Sequence, residues 1–154
     1  MRTVLQRVSS ARVTVDDQET GAIGAGLLVY LGVAAGDSNT EAEWLARKVA
    51  ELRVFPDADG RFDRSLLDTR GGALVISQFT LLADTRRGRR PAFTGAAPPA
   101  EAERLVEAFA ASLAALGIEV ATGRFGAHMQ VESTNDGPVT IILDTADRDR
   151  PRRN

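Results

Sequence analysis

The chain has 154 residues, 44% hydrophobic and 26% charged, with a formal net charge of -2 and no cysteine. That balance suits one soluble globular domain with a real core. It excludes a disulfide framework, a thiol nucleophile and a chain held on nucleic acid by bulk positive charge. With no secretory apolar region and no apolar run long enough for a bilayer, a cytoplasmic protein with no membrane partner is expected.

Residues 1–15, MRTVLQRVSSARVTV, alternate apolar and polar side chains and break at Ser9-Ser10, which predicts a β-hairpin. GAIGAGLLVYLGVAAG gives a glycine-rich turn and then a continuously apolar strand, Leu27 to Val33, of the kind covered on both faces. Those glycines are not a phosphate loop, because no Gly-Lys-Ser follows and a strand, not a helix, comes next. Thr40 to Glu43 form a T-x-x-E capping box, opening a helix with Leu45, Val49 and Leu52 at helical spacing and an end near Val54. FPDADGRFD reads as a turn, and Asp57, Asp59 and Asp63 within it lack the ligand spacing of a calcium loop. GGALVISQFTLLAD reads as the longest and most buried strand, followed by the loop RRGRRPAFTGAAPP. A second helix starts at Pro99, with Leu105, Phe109, Leu113 and Leu116 on one face and Gly117 as its stop.

The stretch NDGPVT, Asn135 to Thr140, lies between two predicted strands, MQVEST and VTIILD. Asn-Gly or Asp-Gly alone makes the better hairpin turn, and a following proline removes a backbone donor where pairing should resume. This stretch is therefore more than a turn. Two main helices with six or seven strands make a single α+β domain over residues 1–144, and the arginine-rich residues 145–154 read as a disordered tail.

In SQFT, a strand's period of two places Ser77 and Phe79 on one face and Gln78 and Thr80 on the other. After so apolar a run, these polar groups must find partners or line a pocket. A serine or threonine attacks only beside a base, and the one imidazole, His128, is remote in sequence. Strand-end N–H groups and the Thr80 hydroxyl are better suited to stabilising an oxyanion. One histidine and no cysteine supply no zinc site of nitrogen and sulfur ligands. Arg86, Arg87, Arg89 and Arg90 follow this segment directly; their guanidinium forks suit phosphates, though four are few for a duplex-binding surface.

Together MRTVLQRVSSARVTV, GAIGAGLLVYLGV, LVISQFTLLADTRRGRRPAF, TGRFGAHMQV and NDGPVTIILD resemble the D-aminoacyl-tRNA deacylase family over residues 1–144. The resemblance implies a β-barrel-like α+β fold and a homodimer with each active site at the subunit interface. It implies a substrate, the acceptor end of aminoacyl-tRNA, and no cofactor. The implied reaction is hydrolysis of the ester that joins a D-amino acid, or glycine mischarged on tRNA-Ala, to the terminal adenosine. Gly137 and Pro138 would form a cis pair that enters the partner's pocket as a backbone wall against L-residues, braced by Arg7. Ser77, Gln78, Phe79 and Thr80 would line the aminoacyl site, Phe125 and Met129 would contact the terminal adenine, and Arg86, Arg87, Arg89 and Arg90 would meet acceptor-stem phosphates. The tRNA's own 2′-hydroxyl, not a protein nucleophile, would assist the reaction. Leu82, where an aromatic is common, and His128, where Asp is expected, depart from the family pattern. Two other readings stand beside this one: a noncatalytic RNA-binding module, weakened by an aromatic content of only 5%, and an esterase with Thr80 or Ser77 as nucleophile.

Overall fold

The computed structural model describes residues 1–148 and residue 150, and its architecture grows around one strand. Strand β1 (Arg2–Val15) pairs antiparallel with β2 (Gln18–Ile23) and β3 (Gly26–Gly32) on one side, and with β8 (Gln130–Asp144) on the other. The hairpin expected at Ser9-Ser10 is not there, since the chain runs straight through both serines. What the sequence registers at that point is a change of phase. Arg7 and Val8 are both buried and Ser9 and Ser10 both exposed, where β1 passes from β3 to β2 and its register with β8 shifts. The actual turn is Asp16-Asp17, both at positive φ, a conformation that Asp tolerates better than most residues.

From β3 the sheet continues in parallel through β6 (Gly72–Ser77) to β7 (Val120–Thr122). It then curls toward closure. A Cβ on Gly21 of β2 would stand 2.6 Å from the Thr122 carbonyl oxygen, so the two ends of the sheet meet backbone against backbone. The outside of this barrel-like sheet is covered by α1 (Asn39–Glu51) and α3 (Pro99–Ala115), whose Leu45, Val49, Leu105, Phe109 and Leu113 are fully buried with Leu27, Val29 and Leu31. Its inside holds Val8, Val13, Leu28, Leu74 and Ile76. Apolar material on both faces explains the unbroken run of β3.

The capping box of α1 is Ser38–Glu41, not Thr40–Glu43. Ser38 has the extended backbone of an N-cap; its hydroxyl accepts from the Thr40 N–H, and Glu41 accepts from the Ser38 N–H at 2.9 Å. The helix stops at Glu51, before Val54. A one-turn helix, α2 (Leu66–Thr69), carries the same box in Ser65 and Asp68. FPDADGRFD forms a small separate hairpin, β4 (Phe55–Pro56) with β5 (Phe62–Arg64), in which the Asp57 carboxylate accepts from the N–H groups of Asp59 and Arg61.

Two strand expectations are corrected. β6 ends at Ser77, because β7 stops pairing at Thr122 and the last ladder bond to β3 is Gln78 N–H to the Leu31 carbonyl, 2.7 Å. Phe79–Leu82 then coil into a 3-10 turn over Gly32, where a Cβ would come within 2.4 Å of the Leu82 side chain. The longest strand is β8, and NDGPVT is an interruption inside it rather than a link between two strands.

The amino terminus is tied to the end of β8. The Met1 ammonium meets Asp37 at 2.7 Å, the Thr145 N–H donates to the Met1 carbonyl, and Arg2 pairs with Asp144 at 2.8 Å. Thr145–Asp147 form a 3-10 turn, so the expected disordered tail begins with an ordered turn; Arg152 and Arg153 lie outside the described residues. No helix among the described residues is long and apolar enough to cross a membrane.

Burial disfavours ionised Asp144, yet the Ala146 N–H and Arg2 together hold its carboxyl below the usual carboxylate range. A depressed folded-state value stabilises the fold above the unfolded value and loses that contribution as pH falls through the folded one. Asp144→Asn is therefore expected to cost about 0.5–1 kcal/mol at neutral pH and to flatten the acid limb of thermal stability. Identical acid limbs for variant and parent would contradict this assignment.

Candidate active site

Where β6 ends, a groove of about 490 Å³ opens between the 3-10 turn, the first half of α3 and the loop leading into β8. Ser77, Gln78 and Phe79 form one wall, Ala102 and Val106 of α3 a second, and Phe125, His128 and Met129 a third. The expected alternation of faces fails because the backbone is coiled from Phe79 onward. Ser77, Gln78 and Phe79 all line the same groove, whereas Thr80 is exposed outside the lining and its hydroxyl accepts a hydrogen bond from the Gln78 amide. Phe79 is 58% exposed and meets Phe93 edge to face, with ring centroids 4.9 Å apart. The lining is largely apolar, with Ser77 and Gln78 as polar groups on one wall and His128 on another.

Met129 owes its place to a glycine. A Cβ on Gly123 would lie 2.4 Å from the Met129 sulfur, so only a bare main chain at 123 lets the thioether settle over it and face the groove.

Gly137 and Pro138 do not line this groove in the chain that forms it; both are exposed, and the peptide between them is cis. Pairing of β1 with β8 skips from Val8–Asn135 to Gln6–Thr140, so Asp136 to Val139 form a bulge opposite Arg7 alone, with Asp136, Gly137 and Pro138 exposed and Val139 buried in the core. Asn135 closes the base of the bulge, its side-chain oxygen accepting from the Val139 N–H and its amide donating to Thr140, each at 3.2 Å. Arg7 fills the inside. This 8% exposed residue donates from Nε to the Asp136 carbonyl at 3.1 Å, lies 3.1 Å from the Asp136 carboxylate, and donates from Nη1 to the Val54 carbonyl at 2.7 Å. Gly137 has φ of 131°, in the region L side chains avoid, and a Cβ there would stand 3.0 Å from Arg7 Nη2.

The arginine loop is closed at its neck by paired N–H to carbonyl bonds between Asp84 and Ala92, 2.7 and 2.9 Å. Its four arginines are not equivalent. Arg86 is tied to the Asp84 carboxylate through two bonds, 2.9 and 2.6 Å, and this hydrogen bonding pulls the Asp84 carboxyl below its usual range. Arg87, Arg89 and Arg90 are exposed beyond it. Among the described residues no group of His, Cys, Asp or Glu is arranged to hold a metal ion.

A family profile described as D-Tyr-tRNA(Tyr) deacylase matches residues 4–144. The chain belongs to the D-aminoacyl-tRNA deacylase family. It is 62% identical to the D-aminoacyl-tRNA deacylase of Roseiflexus sp. (strain RS-1), over 99% of this chain and 98% of that one. It is 60% identical to the enzyme of the same name from Thermomicrobium roseum, over 96% of each. A solved structure of a c-Myc DNA unwinding element binding protein superposes with a TM-score of 0.88 at 40% identity, covering 94% of this chain and 99% of that one. A probable eukaryotic D-amino acid tRNA deacylase shares the fold, with a TM-score of 0.82 at 16% identity over 92% of this chain and 97% of its own.

Of the two departures from the family pattern, Leu82 packs toward Gly32 and stays out of the groove, whereas His128 stands in its lining. Sequence reasoning missed Val106, Phe93, Gly123 and Val54. Val106 sits beside the buried stripe of α3 and is the one residue among them with a readable signal, an apolar side chain just off the core face. Gly123→Ala is expected to keep the fold, because a thioether can swing aside, while driving Met129 out of the groove. Methyl NMR of Met129 checks this, and an unmoved resonance with unchanged groove contacts would contradict it.

Proposed function

We propose that the protein is an aminoacyl-tRNA editing hydrolase that removes D-amino acids, and glycine mischarged on tRNA-Ala, from the terminal adenosine of tRNA. The name carried by its relatives, D-aminoacyl-tRNA deacylase, supports the ester as substrate. One observation carries the rest of the reading: the groove and the Gly137–Pro138 bulge are both well built, yet they are separate within one chain. In a homodimer the bulge of one subunit enters the groove of the other. β8 is suited to such an interface, pairing among the described residues only with β1 and leaving Ile142 67% exposed.

In this reading the terminal adenine lies against Phe125 and Met129, the aminoacyl ester against Ser77, Gln78, Phe79 and Thr80, and Arg86, Arg87, Arg89 and Arg90 face the acceptor-stem phosphates. Main-chain carbonyls of the wall hold the α-amino group and exclude a side chain of L configuration; a D side chain, or the hydrogen of glycine, passes. Backbone suits the task, since apolar side-chain pockets discriminate by only about 1–3 kcal/mol per methylene.

The reaction adds water to the acyl carbon, passes through a tetrahedral oxyanion, and breaks the bond to the ribose 3′ oxygen, releasing the amino acid and a free 3′-hydroxyl. The adjacent 2′-hydroxyl assists the water. Thr80 accepts from the Gln78 amide, which leaves its own hydrogen free to donate to an oxyanion, and nothing hydrogen-bonded to it acts as a base. A nucleophilic Thr80 is thereby disfavoured.

Release of amino acid from D-tyrosyl-, L-tyrosyl- and glycyl-tRNA, against enzyme-free controls at the same pH, tests the proposal. Rapid loss of the D and glycyl esters with the L ester spared is expected. Equal loss of D and L esters overturns the chiral reading, and binding of all three without hydrolysis leaves a noncatalytic RNA-binding module. Thr80→Ala is expected to slow turnover by up to about 10²–10³, the worth of an oxyanion donor. Complete loss, together with a trapped acyl-enzyme in the parent, would establish the nucleophile instead.

A further inference from the structure

Arg7 has a second kind of partner besides its hydrogen bonds. Its guanidinium carbon lies 5.6 Å from the centroid of the Phe62 ring, over the ring face. Phe62 is 56% exposed and joins neither buried cluster, so core packing does not account for an aromatic ring at this position. Its surroundings do. The hydrogen bonds of Arg7 to Val54 and Asp136 use the edge of the guanidinium and leave its flat faces uncovered. A guanidinium face is poorly hydrated, and an aromatic ring attracts the cation there without competing for any N–H.

One short segment supplies both restraints. Val54, which accepts from Arg7, directly precedes β4, and Phe62 opens β5 of the same hairpin. The hairpin is stiffened by the Asp57 turn and by an Arg53–Asp63 pair at 2.9 Å, so carbonyl and ring are presented together. Arg7 in turn touches Asp136 and abuts Gly137.

We infer that Phe62 is a positioning residue for chiral selection: by stacking on Arg7 it fixes the guanidinium against which the Gly137–Pro138 bulge rests. This rests on the reading of that bulge as the selecting wall. Loosening the ring contact frees the bulge and lets L-esters react, an effect on selectivity rather than on the groove.

The test compares Phe62→Leu, which keeps apolar bulk without a π face, with Phe62→Tyr, which keeps the face. Each is assayed for the ratio of D- to L-tyrosyl-tRNA hydrolysis, for thermal unfolding, and for hydrogen exchange at Arg7 Nε. Phe62→Leu is expected to lower the ratio by about two- to five-fold, the worth of an exposed cation–π contact, through a rise in the L rate. It is also expected to speed exchange at Arg7, and Phe62→Tyr to match the parent in both. An unchanged ratio in Phe62→Leu, or an equal fall in Phe62→Tyr, overturns the inference. A parent with no D preference overturns the underlying reading of the wall, and the exchange measurement then decides the Phe62–Arg7 contact by itself.

Discussion

A buried guanidinium sets the terms for this molecule. Arg7 is the one charged side chain that the core encloses among the described residues, and an enclosed charge is costly unless its hydrogen bonds and its countercharge are supplied. Two separate segments supply them: the end of the α1 connection at Val54, and the β8 bulge through Asp136. Removing either leaves the charge under-partnered, so the position of the bulge is tied to the stability of the sheet. A loop made of Asn, Asp, Gly and Pro would otherwise have little to hold it in one place.

The groove depends on a different constraint, the exhaustion of hydrogen-bond partners at the end of a parallel sheet. β7 is short and β3 closes with Gly32, so the chain leaving β6 has no ladder to join and coils back over that glycine. This is how a fully apolar strand comes to deliver Ser77, Gln78 and Phe79 together at its carboxyl end, beside the start of α3. Ligand sites outside the carboxyl ends of parallel strands are a general feature of sheets covered by helices. Here the glycine that admits the turn and the glycine that admits Met129 shape different walls of one cavity.

Much of this was legible in the sequence. The unbroken apolar run of β3, the amphipathic spacing of α3 and its stop at Gly117, and the anomaly of Gly137-Pro138 all reflect local chemistry that a sequence displays directly. Three of the differences share one cause. Ser9-Ser10, NDGPVT and SQFT were each assigned from local pattern, and each is decided by pairing across the sheet: a partner switch in β1, a bulge opposite Arg7, and the loss of partners beyond Ser77. The capping box erred for a smaller reason, two overlapping candidates of the same form, with Ser38 two positions ahead of Thr40. Phe62 gave no sequence signal, because its partner is 55 positions earlier and on another element, as the pairing of Arg7 with Phe62 shows.

The central claim, that the wall of one subunit completes the groove of the other, is tested most directly by mixing variants. A Gly137→Ala chain, with an intact groove and a disturbed wall, is combined with an excess of a chain whose groove is disabled by Gln78→Ala and Phe125→Ala but whose wall is intact. If the wall acts across the interface, exchanged dimers place a sound wall in each working groove. L-ester hydrolysis then falls with added partner while D-ester hydrolysis persists. If L-ester hydrolysis stays constant across the titration although subunits are seen to exchange, the wall acts within its own chain and the account is wrong.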